Sequence, residues 1–126
     1  MKNVRLLALL ALAVTVALGL YAGEKSAATT WEGTLVDSKC YLKDNSLTGN
    51  DHGDVKECGT ACVKGGTPAG IVTKEKKYHA IIAPAPALAS HVGHEVRIHG
   101  SIHGGSILPT KIEVKKDGKW EEVKTG

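Results

Sequence analysis

No phenylalanine occurs among the 126 residues, and aromatic side chains make up only 4% of the chain. Beyond the N-terminal apolar run the rings that stand out are Trp31, Trp120, Tyr41 and Tyr78. A β-surface that binds nucleic acid needs rings for stacking and an excess of positive charge, and this sequence offers neither. Lys2, Arg5, Lys25 and Glu24 precede residue 29, and without them the remaining acidic and basic side chains nearly cancel. Such a balance gives little pull toward nucleic acid or anionic lipid. C-x-x-C-H is missing, which disfavours covalently attached haem. G-x-S-x-G is missing too, and no pair of carboxylates is placed for hydrolysis, so nothing in the sequence marks an enzyme. No cysteine follows the opening apolar run, which argues against a lipoprotein.

What is present begins with an export signal. Two cations, Lys2 and Arg5, precede an unbroken Leu/Ala/Val stretch over 6–20. These are the charged and apolar regions of a secretory signal peptide. Small residues follow, and residues 1–28 are read as the signal peptide, cut after Ala22 or Ala28. An uncleaved anchor is the alternative, since about 17 apolar residues just span a bilayer. The small residues past the run suit a peptidase and favour cleavage. The expected location is periplasmic or secreted, with no membrane attachment after cleavage. Residues 29–126 are enough for one small domain with one modest core.

Glycine is plentiful and the apolar residues are mostly Val, Ile, Leu and Ala, a composition that leans toward a small β-structure. Residues 29–36 (TTWEGTLV) alternate and predict a first strand. The polar, turn-rich stretch 37–53 reads as a loop. Asp54 reads as a helix N-cap, with Val55, Cys58, Ala61 and Cys62 at helical spacing and Gly65-Gly66 as the stop. Further strands are predicted over 68–73, 78–83 and 93–104, with an Ala/Pro linker at 83–87 and one helical turn at 88–92. In the strand over 93–104, Val96, Ile98 and Ile102 share one face, and Gly100 marks a bend or bulge. A strand over 107–114 follows, then a hairpin turn at Asp117-Gly118 and a last piece near 120–123. This element order predicts a mainly-β domain, a small five-stranded OB-like barrel with a cysteine-bearing helical insertion at 37–66.

Cys40, Cys58 and Cys62 fall within 23 residues, with His52 among them. In a small exported domain a disulfide is a natural staple, joining Cys40 to Cys58 or to Cys62 for about 2–4 kcal/mol. Cys58 and Cys62 within one helix are poorly placed to pair with each other. Three cysteines then leave one over, buried as a small apolar residue. The competing reading makes Cys40, His52, Cys58 and Cys62 metal ligands. Cysteines four apart on a helix project to one side, and three thiolates with an imidazole form a tetrahedral set for Zn, while sulfur also favours Cu(I). Thiol oxidoreductase chemistry is a third reading, and it requires a thiol of depressed pKa.

The frame Asp37-Ser38-Lys39-Cys40-Tyr41, then His52, Cys58 and Cys62, then Gly66-Thr67-Pro68-Ala69-Gly70, resembles a group of small exported bacterial proteins. That group shares D-x-x-C-Y, H, C-x-x-x-C and G-x-P-x-G ahead of an OB-like β-region. The resemblance covers roughly residues 31–114, and it implies where the site lies without implying an activity.

The other histidines are His79, His91, His94, His99 and His103. His99 and His103 share a strand face but stand about 13 Å apart, too far to hold one ion together. His91 and His94 straddle a turn and could meet one of them, which makes His91, His94, His99 and His103 a weak second metal site or simply a solvated face. The sequence thus favours an exported Cu- or Zn-binding protein without haem, acting as carrier, sensor or structural site. Its partner would be a periplasmic protein or a metal-delivery protein. The rival is a disulfide-stapled OB-like module that binds a protein or small ligand without metal.

Overall fold

The computed structural model describes residues 28–126, so the signal-peptide reading lies almost wholly outside the described residues. Six strands, β1 (Thr29–Asp37), β2 (Ala69–Thr73), β3 (Tyr78–Ala80), β4 (Glu95–His103), β5 (Ser106–Lys116) and β6 (Lys119–Glu122), form one sheet. Every ladder is antiparallel, in the order β3-β2-β1-β4-β5-β6. Three short helices, α1 (Ser38–Lys43), α2 (Cys58–Lys64) and α3 (Ala85–Leu88), and a 3-10 turn over Ala89–His91 complete the described elements. Among the described residues no helix is long and apolar enough to cross a membrane.

β1 lies in the middle, pairing Leu35 with Ile71 of β2 and Trp31 with Ile98 of β4. Its alternating β-branched pattern suits a strand with neighbours on both sides. Leu35, Ile71, Val96, Ile98, Ile112 and Val114 are buried in the main core, roofed by Val63 of α2, Leu88 of α3 and Val92. Each such aliphatic side chain contributes about 1.5–3 kcal/mol when fully buried, an upper estimate because unfolded chains already hide some surface. A smaller cluster gathers Val36, Tyr41 and Val72 with Tyr78 packed against it. β1 ends with Leu35, Val36 and Asp37 all buried, since both of its faces are covered there.

The expected five-stranded closed barrel is corrected in two places. At one margin Asp117 (φ 48°) and Gly118 (φ 75°) form a two-residue turn with both backbones left-handed. That turn matches strand twist, so the tail folds back and adds β6 as a sixth strand. At the other margin β3 stops at Ala80, short of the strand predicted over 78–83. Ile81 then leaves for β5, where it makes a single parallel bridge to Ile107, and Ile82 N donates to Ile107 O at 2.9 Å. Pro84 follows at once and has no N–H to continue a ladder, so the sheet curls without closing.

Gly100 does mark an irregularity, with the β4–β5 register shifting between His99 and Gly100. A Cβ there would fall 2.2 Å from the Leu108 carbonyl oxygen, so only glycine lets the strands approach. Past this bulge the strand runs beyond the core, and Ile102 is exposed instead of buried with Val96 and Ile98.

The outer face carries one dense charge cluster. Glu113 accepts from Arg97 Nε at 2.9 Å and His99 Nε2 at 2.7 Å, and Lys111 Nζ lies 2.9 Å from its other oxygen. Arg97 and Glu113 are direct cross-strand partners, and the Trp120 ring lies 4.4 Å under the guanidinium. The hydrogen bonds from Arg97, Lys111 and His99 hold the Glu113 carboxyl well below its ordinary value of 4.5. A depressed carboxyl stabilises the fold fully above the unfolded value, and that contribution is lost as pH falls below it toward the folded value. Glu113→Gln is therefore expected to lower the urea midpoint near neutrality, with the deficit shrinking as pH drops below about 4.5. A deficit that stays constant from neutrality into acid would refute this account.

Candidate metal centre

Asp37 ends β1 and opens α1. Its Oδ1 accepts from Lys39 N at 2.9 Å, an N-cap bond that satisfies one of the free amides of the first turn. The stretch expected to be loop from residue 37 onward therefore starts as a helix, and long-range contacts hold it. Tyr41 stacks on Tyr78 with ring centroids 5.5 Å apart, and Tyr78 Oη donates to Ser38 Oγ at 2.8 Å. Ser38 N also donates to Pro68 O at 3.1 Å. Cys40 is thus fixed on α1, between the end of β1 and the aromatic pair.

The second helix differs from expectation at its start. Asp54 is not an N-cap: it sits in a tight turn where His52 and Val55 exchange backbone bonds of 2.9 and 3.1 Å. α2 begins at Cys58 and runs seven residues, shorter than the helix expected between Asp54 and Gly65. Its caps come from further back in the loop. Asp51 Oδ1 accepts from Glu57 N at 2.8 Å, Asn50 O from Gly59 N at 2.9 Å, and Asn50 Oδ1 from Thr60 N at 2.8 Å. With three amides answered from outside, the helix needs no cap of its own at Glu57, whose backbone is left-handed at φ 50°. Thr60 Oγ1 donates to Ala89 O at 3.0 Å, and Val63 is fully buried, so α2 is pinned to the 3-10 turn and the core.

These two anchored helices bring the sulfur atoms of Cys40, Cys58 and Cys62 within 4.8 Å of one another. All three are free thiols and half-buried, so neither the Cys40–Cys58 nor the Cys40–Cys62 disulfide is formed. Three sulfurs bound to one tetrahedral Zn at 2.3 Å lie about 3.8 Å apart, so small side-chain adjustments suffice for a shared ion. A disulfide needs sulfurs at about 2.05 Å, a larger movement.

Asp37 closes the strand end from which α1 starts. It is only 1% exposed, three residues before Cys40 in the chain. Its Oδ2 is buried without a well-formed hydrogen bond. Burial, and then the Asp37 carboxylate, push Cys40 up to about 12 and raise Cys62 in the same way. Thiols so raised are protonated at neutral pH, which makes Cys40 and Cys62 poor nucleophiles. A bound cation reverses that balance by displacing the protons.

His52 stands outside the thiol group. Its Nε2 lies 3.1 Å from Gly49 O, and its Nδ1 is buried without a partner. The turn at Gly53 (φ 59°) folds residue 52 back onto its own loop. The four histidines read as a weak second site do not assemble either. His91 and His94 have ring centroids 6.4 Å apart, but His99 is bound to Glu113 and Thr30, and His103 to Ser101. Burial, with the nearby charges of Lys116 and His94, lowers the His91 pKa. Among the described residues, the three cysteines alone form a group able to hold a metal ion.

Asp37, expected to open a loop, is instead the buried N-cap of α1. Its signal was an acid placed immediately after an alternating strand and three residues before a cysteine. Comparisons with protein-family models, curated proteins and solved structures find no match to this chain.

Proposed function

We propose that this is an exported protein that binds one soft or borderline metal ion, copper or zinc, through the thiolates of Cys40, Cys58 and Cys62. The convergence of three sulfurs from two separately anchored helices carries the reading. A staple needs only two of those thiols, and a spare buried cysteine has no reason to meet the other two. The sheet is the rigid support. Its order through β1–β5, with α3 and the 3-10 turn between β3 and β4 and a parallel bridge from Ile81 to Ile107, follows OB-type connectivity. We read it as an OB-like domain left open, with the site carried in the insertion at 37–66. The Lys2/Arg5 and apolar opening supports export, and the D-x-x-C-Y frame supports placement beside the small exported proteins it resembles. A carrier, sensor or structural role follows, with a periplasmic metal-delivery protein as partner.

Thiol counting on protein isolated without reductant, with metal analysis before and after reduction, is the test. The expected result is three titratable thiols and about one equivalent of Cu or Zn, with His52→Ala retaining the full equivalent. One free thiol before reduction and no metal uptake after it would instead favour the stapled binding module, with Cys40 paired to Cys58 or Cys62.

A further inference from the structure

Cys40, Cys58 and Cys62 bring their sulfurs within 4.8 Å of one another, and among the described residues no histidine nitrogen or carboxylate oxygen joins them. His52 is engaged elsewhere, with Nε2 3.1 Å from Gly49 O, and residues 1–27 contain neither cysteine nor histidine. All three thiols are half-buried, so solvent reaches the group. A structural zinc site closes its tetrahedron with four protein ligands. A site where groups come and go keeps three and gives the fourth place to water or an incoming ligand. The surrounding fold also stands without an ion. Tyr41 stacked on Tyr78 anchors α1, and the Thr60 bond to Ala89 O with buried Val63 anchors α2.

We infer that a tetrahedral ion held here takes its fourth ligand from outside the chain, a thiolate sulfur, which makes this a site of metal exchange and not a structural one. The inference rests on the thiol-site reading above and narrows it: the ion is taken up and given away, instead of being kept for the fold. Sulfur is the donor that a soft or borderline ion already bound by three thiolates selects. The incoming thiol gives its proton to solvent and a sulfur lone pair to the ion. On a delivery partner, further thiols then displace Cys40, Cys58 and Cys62 one at a time. Each cysteine takes back a proton as it leaves, and no electron changes hands.

The test uses Co(II) in place of Zn(II) on the full-length protein, reduced with a phosphine so that 2-mercaptoethanol is the one added thiol. Before that thiol is added, Co(II) is expected to show thiolate-to-metal charge transfer. Titrating 2-mercaptoethanol should raise the charge transfer by about one third and then saturate, as a fourth sulfur joins three on the tetrahedral ion. His52→Ala should titrate in the same way. A spectrum that does not respond to the thiol would overturn the inference and leave the thiol site standing, the fourth place then belonging to the chain. Stripping of Co(II) from the protein by the thiol would overturn it too, since the ion is then removed and not shared. A second measurement follows Zn(II) release to a chromophoric chelator. The rate is expected to climb with chelator concentration, because the incoming ligand attacks the bound ion, and a rate independent of that concentration would overturn the inference as well. No thiolate charge transfer in wild type would remove the thiol site itself, and this inference with it.

Discussion

Cys58→Ser is expected to lower Zn(II) affinity by more than about 100-fold, since losing a direct ligand exceeds the 10- to 100-fold typical of losing an outer-shell partner. The fold should survive it. Cys58 is the first residue of α2 and half-buried, and the helix start is held by Asn50 and Asp51 without its side chain. A serine hydroxyl stays protonated and cannot replace a thiolate, so the remaining two sulfurs hold the ion loosely. Competition with a chromophoric chelator measures the loss, and circular dichroism checks the fold. Unchanged affinity would remove the site. A variant altered only in the melting temperature of oxidised protein would point to a staple through Cys58.

Leu35→Ala carries the largest stability effect, an expected loss of about 2–5 kcal/mol. Leu35 is fully buried on the central strand, opposite Ile71 of β2 and next to both the core cluster and the end of β1. Nothing nearby can swing in to fill the cavity, because Ile71, Val63 and Ile98 are themselves held by the sheet or α2. For a domain of this size that loss lowers the melting midpoint by on the order of 15 °C. Calorimetry in chelator and in excess Zn(II) should show metal returning part of the loss, because an ion bound only by the folded state stabilises it by mass action. A Leu35→Ala midpoint within a few degrees of wild type would show that β1 does not organise the core as described.

The strands were legible because their signal is local. Alternation and β-branching in TTWEGTLV and EVRIHG, with Asp117-Gly118 as a hairpin turn, are properties of a few neighbouring residues. The three cysteines were legible as a group by their clustering in the sequence. The misreadings share a cause, which is support arriving from a distance. α1 exists because Tyr41 meets Tyr78 and Ser38 meets Pro68, contacts that no window around residue 40 contains. Asp54 had the right residue type for a cap, but Asn50 and Asp51 reach the amides first. Asp37 fell at the start of the stretch read as loop because an acid beside serine and lysine is usually solvated. It is nonetheless 1% exposed, on a strand that α2 packs against. His52 was credited as a ligand for lying between the cysteines in sequence, and the Gly53 turn keeps it apart in space.

The central place of β1 also shapes how the chain can fold. The first strand of the described residues pairs Thr30 with His99 and Trp31 with Ile98, so its inner ladder closes across most of the domain. A chain emerging from its N-terminus has β1 early and can form the β1–β2 ladder, yet β1 has no second neighbour until β4 has emerged. Nearly the whole domain must be present before the core can consolidate, and such long-range closure slows folding. Under the export reading proposed above, that delay suits a polypeptide threaded through a translocation pore, which must stay unfolded on the near side and collapse only after release on the far side.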